Sequence, residues 1–236
     1  MWISSATLLV LWLPLLSVRR LFDRDPVRYA TGRLFRDLGV AMTKLNPLWK
    51  IEVTGAAKIG DARSPYVVVS NHQSMADIPA LSHLPWEMKW MAKKELFSAP
   101  LIGWQLKLAG DIPIDRENPR DAVRSLRKAR AYLDQRCSVM VFAEGSRSKD
   151  GNVAEFLDGA FRLAITAGVP VLPVVVEGTL GCLPKNSWKF GRARQIKVEV
   201  LEPIDTSGLK RADVPALREE VRGLIVDRLT QIRARR

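Results

Sequence analysis

Residues 1–18 (MWISSATLLVLWLPLLSV) carry no charged side chain. As a helix this run is about 27 Å long, close to the hydrocarbon thickness of a bilayer. Arg19, Arg20, Arg24 and Arg28 follow it. A cleaved leader places its basic residues before the apolar run, so this order favours a retained anchor. By the positive-inside rule the arginines keep the rest of the chain in the cytoplasm. Pro14 leaves a re-entrant hairpin open beside a full span. Next, Ala30, Leu34, Leu38, Ala41, Met42 and Leu45 recur at three- and four-residue steps opposite Arg33, Arg36 and Lys44. That period fits a cationic helix lying in a membrane interface and equally a surface helix packed on a core. The position beside the anchor favours the interface.

From Trp49 on, short β-rich runs alternate with helical patterns. Residues 50–53, 66–70, 112–114, 138–142, 170–176 and 195–201 predict strands. Asn118-Pro119-Arg120-Asp121 is an N-cap with proline in the first turn, and Ala122, Leu126, Ala129 and Leu133 continue one apolar stripe. A last helix is expected over residues 214–232, with Leu217, Val221, Ile225 and Leu229 on one side. The alternation predicts an α/β fold: a mixed, mostly parallel sheet flanked by helices, with an N-terminal membrane-associated helical segment. The chain divides accordingly into an anchoring segment, 1–47, and a catalytic domain, 48–236. Residues 187–194 read as a basic loop.

At 236 residues the chain can bury one sizeable core but not two large ones. The 37 Lys and Arg against 25 Asp and Glu give a net charge of +12, which calls for an anionic partner: nucleic acid, membrane surface or phosphorylated small molecule. No nucleic-acid-binding motif accompanies the charge, so the apolar N-terminus decides for an anionic membrane and against nucleic acid. Cys137 and Cys182 stand in no metal or redox spacing and predict two buried, reduced thiols. No metal site or bound cofactor is expected.

The apolar strand 66–70 (YVVVS) runs into Asn71-His72-Gln73-Ser74-Met75-Ala76-Asp77. On one helix, residues five apart diverge by about 140°, so His72 and Asp77 meet only if the chain turns between them. Pro79 fits the first turn of a helix starting near Asp77 and predicts that turn. A carboxylate there can accept from the imidazole, fix its tautomer and stabilise the protonated ring. Alternatively, Asp77 is a plain N-cap and Ser74 a turn residue, with no catalysis.

The wider pattern decides between these. Asn71, His72, Ser74 and Asp77 match an Asn-His-x-Ser-x-x-Asp block. Gly110, Ile114, Asp115 and Arg116 match Gly-x-x-x-Ile-Asp-Arg. Phe142-Ala143-Glu144-Gly145-Ser146-Arg147-Ser148 and Val169-Pro170-Val171-Leu172-Pro173-Val174 follow in order, and Lys93-Lys94-Glu95-Leu96 lies between the first two. The chain thus resembles the glycerolipid acyltransferases, most closely the bacterial 1-acyl-sn-glycerol-3-phosphate acyltransferases, over roughly residues 50–204. Ala143 stands where that family usually has proline and Ser146 where it usually has threonine; the hydroxyl is kept and only a backbone constraint is lost.

The resemblance implies transfer of a fatty acyl group from acyl-CoA or acyl-carrier protein to the sn-2 hydroxyl of 1-acyl-glycerol 3-phosphate, giving phosphatidic acid for phospholipid biosynthesis. His72 would be the general base, oriented by Asp77. Arg116 and Arg147, with Lys93, would hold the acceptor phosphate, since guanidinium offers a fixed fork for its oxygens. Glu144, Gly145 and Ser146 match the family's acceptor-site residues. The purely structural alternative for Glu144 and Arg147 is a local ion pair. Pro170 and Pro173 read as structural, and His83 as an ordinary helix residue. The expected partners are a lysophospholipid, an acyl thioester, an anionic membrane and an acyl carrier protein as donor, at the cytoplasmic face of the cell membrane. Two other readings stay open: another acceptor (a lyso-aminolipid, a different lysophospholipid or glycerol 3-phosphate), and a non-catalytic protein of anionic membranes.

Overall fold

A computed structural model describes residues 2–115, 117–183, 191 and 194–235. Seven strands form one sheet in the order β1-β7-β6-β2-β5-β3-β4. They are β1 (Trp49–Thr54), β2 (Val67–Ser70), β3 (Met88–Lys93), β4 (Ile112–Ile114), β5 (Ser138–Phe142), β6 (Val171–Glu177) and β7 (Arg194–Val200). All neighbouring pairs are parallel except β6 with β7. The expected mixed, mostly parallel sheet is therefore the one observed, and the carboxyl ends of β2, β3, β4, β5 and β6 point the same way. Strand alternation explains the two layers of core. Val67 and Val69 face a cluster with Ala129, Phe161, Val221 and Ile225, whereas Val68 faces one with Leu81, Trp86 and Met140. The first layer is supplied by α5 (Pro119–Asp134), α6 (Gly159–Ala167) and α7 (Val214–Ala234); the second includes α3 (Asp77–Leu81).

Local rules set the element ends. The Asn118 side chain accepts from the backbone N–H groups of Arg120 and Asp121 with Pro119 in the first turn, the N-cap read from sequence. Pro170 and Pro173 have no N–H to give, but their carbonyls accept from Val67 and Leu201 and join the ladder. Cys137 and Cys182 are buried, and burial pushes the Cys137 thiol up to about 12. His83 lies just past α3, half-buried, its Nε2 2.8 Å from the Thr43 hydroxyl.

The first helix, α1 (Trp2–Phe22), continues a turn past Val18 through Arg19 and Arg20. Its Ser5–Phe22 window spans 18 residues at mean hydropathy 1.4 and is only 6% buried, long and apolar enough to cross a membrane. Val10, Leu11, Leu15, Val18, Leu21 and Phe22 are exposed, while Leu16 packs with Phe35, Leu38, Phe97 and Leu106. The second helix, α2 (Tyr29–Lys44), differs from the interfacial helix expected. Its apolar stripe meets α1, and two of its cations, Arg33 and Arg36, reach inward. Arg33 donates to the carbonyls of Leu84 and Trp86, and Arg36, 3% exposed, pairs with Asp111. The helical period matches the expectation, but Arg36 is paired in the interior and Arg33 bonds inward, while Lys44 stays exposed.

Arg36 belongs to a buried group of four charges. Its Nη2 lies 2.5 and 2.7 Å from the Asp111 oxygens, and its Nε 3.5 Å from Glu87 Oε2. Lys89 Nζ donates to Glu87 Oε1 at 2.9 Å and to the Ala109 carbonyl at 2.8 Å. Two cations and two carboxylates cancel, as burial demands. This group docks α2 onto the start of β3 and β4.

Candidate active site

The turn predicted between His72 and Asp77 exists. His72 leaves the carboxyl end of β2, Asp77 opens α3, and His72 Nδ1 lies 2.7 Å from Asp77 Oδ2. A carboxylate oxygen only accepts here, so Nδ1 carries a proton, and in the neutral ring the lone pair is on Nε2. Among the described residues Nε2 has no hydrogen-bond partner, and the His72 side chain is 13% exposed. The same Asp77 oxygen accepts from the backbone N–H groups of Gln73 (2.7 Å) and Ser74 (2.9 Å). Asp77 therefore binds backward to the turn that precedes it, which is not what an N-cap does.

The backbone of His72 is fixed on both sides by one loop after β5. Its N–H donates to Glu144 Oε1 at 2.7 Å, and its carbonyl accepts from the Ser148 N–H at 2.8 Å. The imidazole stacks on Phe142, the last residue of β5, with ring centroids 3.8 Å apart and planes 14° apart. Trp90 of β3 meets the edge of Phe142 at 6.0 Å. On the other side, Asn71 Nδ2 donates to the Val176 carbonyl at 2.8 Å and its Oδ1 accepts from the Val176 N–H at 2.9 Å. Asn71 thus acts as one more backbone rung between β2 and β6. Three strand ends meet at His72, and this is where open parallel sheets place ligands.

Glu144 is 8% exposed, and its second oxygen accepts from the Ala154 N–H at 3.0 Å. Burial raises its carboxyl above the ordinary glutamate value, and the two backbone N–H groups oppose that rise. Both oxygens hold backbone, so the local ion pair with Arg147 is not formed. Arg147 is partly exposed and makes no side-chain bond among the described residues. It lines an open recess of ≈ 400 Å³ with Glu144, Ser146, Ser148, Lys149 and Asn152. Gly145 sits at φ 77, in the left-handed region where glycine carries no Cβ penalty. Ser146 is exposed. Lys93 ends β3 at this end of the sheet, 74% exposed in its side chain and 3.3 Å from Glu95 Oε1. Arg116 lies outside the described residues, as does most of the basic loop 187–194. The ring stack on Phe142 and the Ser148 and Ala154 backbone contacts are not legible in the sequence, although Phe142 stands inside a matched block.

A family model described as Acyltransferase matches residues 50–177, more than half of the chain and spanning the loops after β2 and β5. The chain belongs to the acyltransferase family. It is similar to the chloroplastic 1-acyl-sn-glycerol-3-phosphate acyltransferase LPAT1 of Arabidopsis thaliana, 34% identical over 190 residues, covering 80% of this chain and 52% of the relative. It is also similar to the 1-acyl-sn-glycerol-3-phosphate acyltransferase alpha of Homo sapiens, 40% identical with 73% and 61% covered. The Saccharomyces cerevisiae 1-acyl-sn-glycerol-3-phosphate acyltransferase is 32% identical with 87% and 67% covered. The chain spans between about half and two thirds of these relatives. Among solved structures of this acyltransferase fold, the 1-acyl-sn-glycerophosphate acyltransferase PlsC of Thermotoga maritima superposes with a TM-score of 0.77 at 27% identity, covering 97% of this chain and 96% of that one.

Proposed function

We propose that this chain transfers a fatty acyl group from acyl-CoA or acyl-carrier protein to the sn-2 hydroxyl of 1-acyl-glycerol 3-phosphate, forming phosphatidic acid. The observation that carries the reading is the 2.7 Å His72–Asp77 contact with Nε2 left unpartnered at the carboxyl end of the sheet. Nε2 takes the acceptor hydroxyl proton as that oxygen attacks the thioester carbonyl. Asp77 stabilises the imidazolium that forms. The carbon–sulfur bond then breaks, and the departing thiolate takes the proton back from Nε2, so no acyl group passes through the protein. Arg147, with Lys93 and Arg116, is the proposed clamp for the acceptor phosphate, and Gly145 and Ser146 line its approach. The names of the relatives support phosphatidic acid as the product. The exposed apolar face of α1 supports attachment to the cell membrane, with the arginines after it placing the domain on the cytoplasmic face.

The test is thiol release from palmitoyl-CoA by the detergent-solubilised chain with lysophosphatidic acid, the lipid product being identified. Release with phosphatidic acid formed, falling by about 10²–10⁴-fold in His72→Ala, is the expected result for a lost general base. Full turnover in a folded His72→Ala would remove the base assignment. No release with this or any other lysolipid, from either donor, would leave a non-catalytic membrane protein.

A further inference from the structure

A second recess, of ≈ 380 Å³, lies along the outer edge of β4, its walls including Arg28, Lys94, Phe97, Lys107, Asp111 and Lys128. Three strand spacings separate β4 from β2, roughly 14 Å, so the recess is distinct from the loops around His72. Its cations outnumber the carboxylates that could balance them. Asp111 directs its side chain to Arg36 and to the Trp90 N–H. Lys94 pairs with Asp121 at 2.6 Å. Arg28 reaches only carbonyls, those of Lys107 at 2.8 Å and Leu108 at 3.4 Å, at the end of helix α4 (Ile102–Ala109). Lys128 Nζ donates to the Asp111 carbonyl at 3.0 Å. Lys107 has no side-chain partner among the described residues. Among the described residues three positive groups thus face one cavity without a carboxylate of their own. Burial holds the Lys128 ammonium below the usual lysine range, and an anion in the recess would reverse that cost.

The surroundings of the recess are apolar and lead to the candidate membrane helix. Trp104 stands one turn before Lys107 on the same face of α4 and is 52% exposed. Leu96, beside Phe97 of the recess wall, is also exposed. Gln105 donates to the Leu9 carbonyl and fixes α4 against α1. An exposed tryptophan next to unpaired lysine and arginine is the arrangement that sits at the boundary of headgroups and acyl chains.

We infer that this recess binds the phosphate of an anionic phospholipid headgroup from the bilayer, with Trp104 against its acyl chains. The inference does not depend on the reaction assigned to His72. Binding is read on the full chain in a neutral detergent, using short-chain phosphatidylglycerol with brominated acyl chains as a quencher of tryptophan fluorescence. The difference between the wild-type chain and Trp104→Phe isolates the signal of this one ring. The expected result is saturable quenching of Trp104, weakened about tenfold or more by Lys107→Gln with Lys128→Gln, the loss that follows from removing charge-assisted hydrogen bonds. Brominated phosphatidylcholine should quench it weakly, and inorganic phosphate should compete. Should the double variant fold poorly, Lys107→Gln alone carries the test, since that side chain is exposed and unpartnered among the described residues. Equal quenching by both lipids, or quenching unchanged in the variants, would overturn the proposal. Displacement by coenzyme A far below the concentration at which inorganic phosphate competes would overturn the lipid assignment and give the recess to a soluble phosphate ester.

Discussion

The sheet carries a buried polar network at each end of its parallel strands, and the two are built on opposite principles. Where β3 and β4 begin, Arg36, Glu87, Lys89 and Asp111 set two positive side chains against two negative ones, all at most 4% exposed. Where β2 and β5 end, His72 and Asp77 are held by backbone donors, and one imidazole nitrogen is left without a partner among the described residues. The first network balances its charges and is shut away from solvent, so it can fix α2 against the sheet but offers no group to a ligand. The second is held by its neighbours yet leaves free the atom that would take a proton. Charge density does not separate a scaffold from a site here; a base that is both unpartnered among the described residues and reachable from outside does.

Substitution should separate them as cleanly. His72→Ala should lower turnover by about 10²–10⁴-fold while lowering the melting temperature only modestly, because it gives up the stack on Phe142 and the bond to Asp77 but keeps the backbone hydrogen bonds to the loop after β5. Arg36→Met should do the reverse. Removing one partner of a buried pair costs about 3–5 kcal/mol, so a large fall in melting temperature is expected with kcat retained at a permissive temperature. Adding Asp111→Asn cancels the uncompensated charge and keeps an acceptor for the Trp90 N–H, so part of the stability should return. If Arg36→Met lost kcat but no stability, the division between scaffold and site would fail.

Phe142 is the place where the two networks approach each other. Arg36 lies 5.2 Å over the Trp90 ring, Trp90 meets Phe142, and Phe142 stacks on His72. Aromatic stacking contributes about 0.5–1.5 kcal/mol beyond burial. Phe142→Leu should therefore lower kcat by about three- to tenfold with little change in acceptor KM, and Phe142→Tyr should restore much of it. An equal loss in both variants would mean that the ring packs but does not orient the imidazole.

Legibility follows the same line. Six strands fall within about a residue of their expected places, because each is an apolar run or, in β1 and β7, a polar–apolar alternation, and the helix after Asn118 announces itself by its cap. The strand that the pattern misses is β3, whose sequence MKWMAK carries Lys89 in its interior. A lysine in a strand reads as solvent, and it is Glu87 with the Arg28 and Ala109 carbonyls, together in space, that makes it a core residue. The inward side of α2 escapes the pattern for the same reason. The His72–Asp77 pair is visible because its partners are five residues apart, whereas Glu144 reaches the His72 N–H across 72 residues and Asn71 reaches Val176 across 105. Nothing local encodes those bonds.

Glu144 gives the smallest and sharpest test of how the site is held. Its carboxyl is pulled two ways, up by burial and down by the N–H groups of Ala154 and His72, and burial prevails. An acid raised in the folded state contributes stability that is present below its unfolded value, near 4.5, and is lost as pH rises through the folded value. Melting temperatures of the wild-type chain and Glu144→Gln, compared at successive pH values, should therefore diverge in favour of the wild type as pH falls from neutral toward 4.5. The substituted amide cannot titrate, so the difference isolates this one group from the other carboxylates. A wild type that loses stability relative to Glu144→Gln on acidification would mean that the two backbone donors outweigh burial. Glu144 would then be an anion held in place by the turn at His72, and acidification would loosen the loop that sets the imidazole.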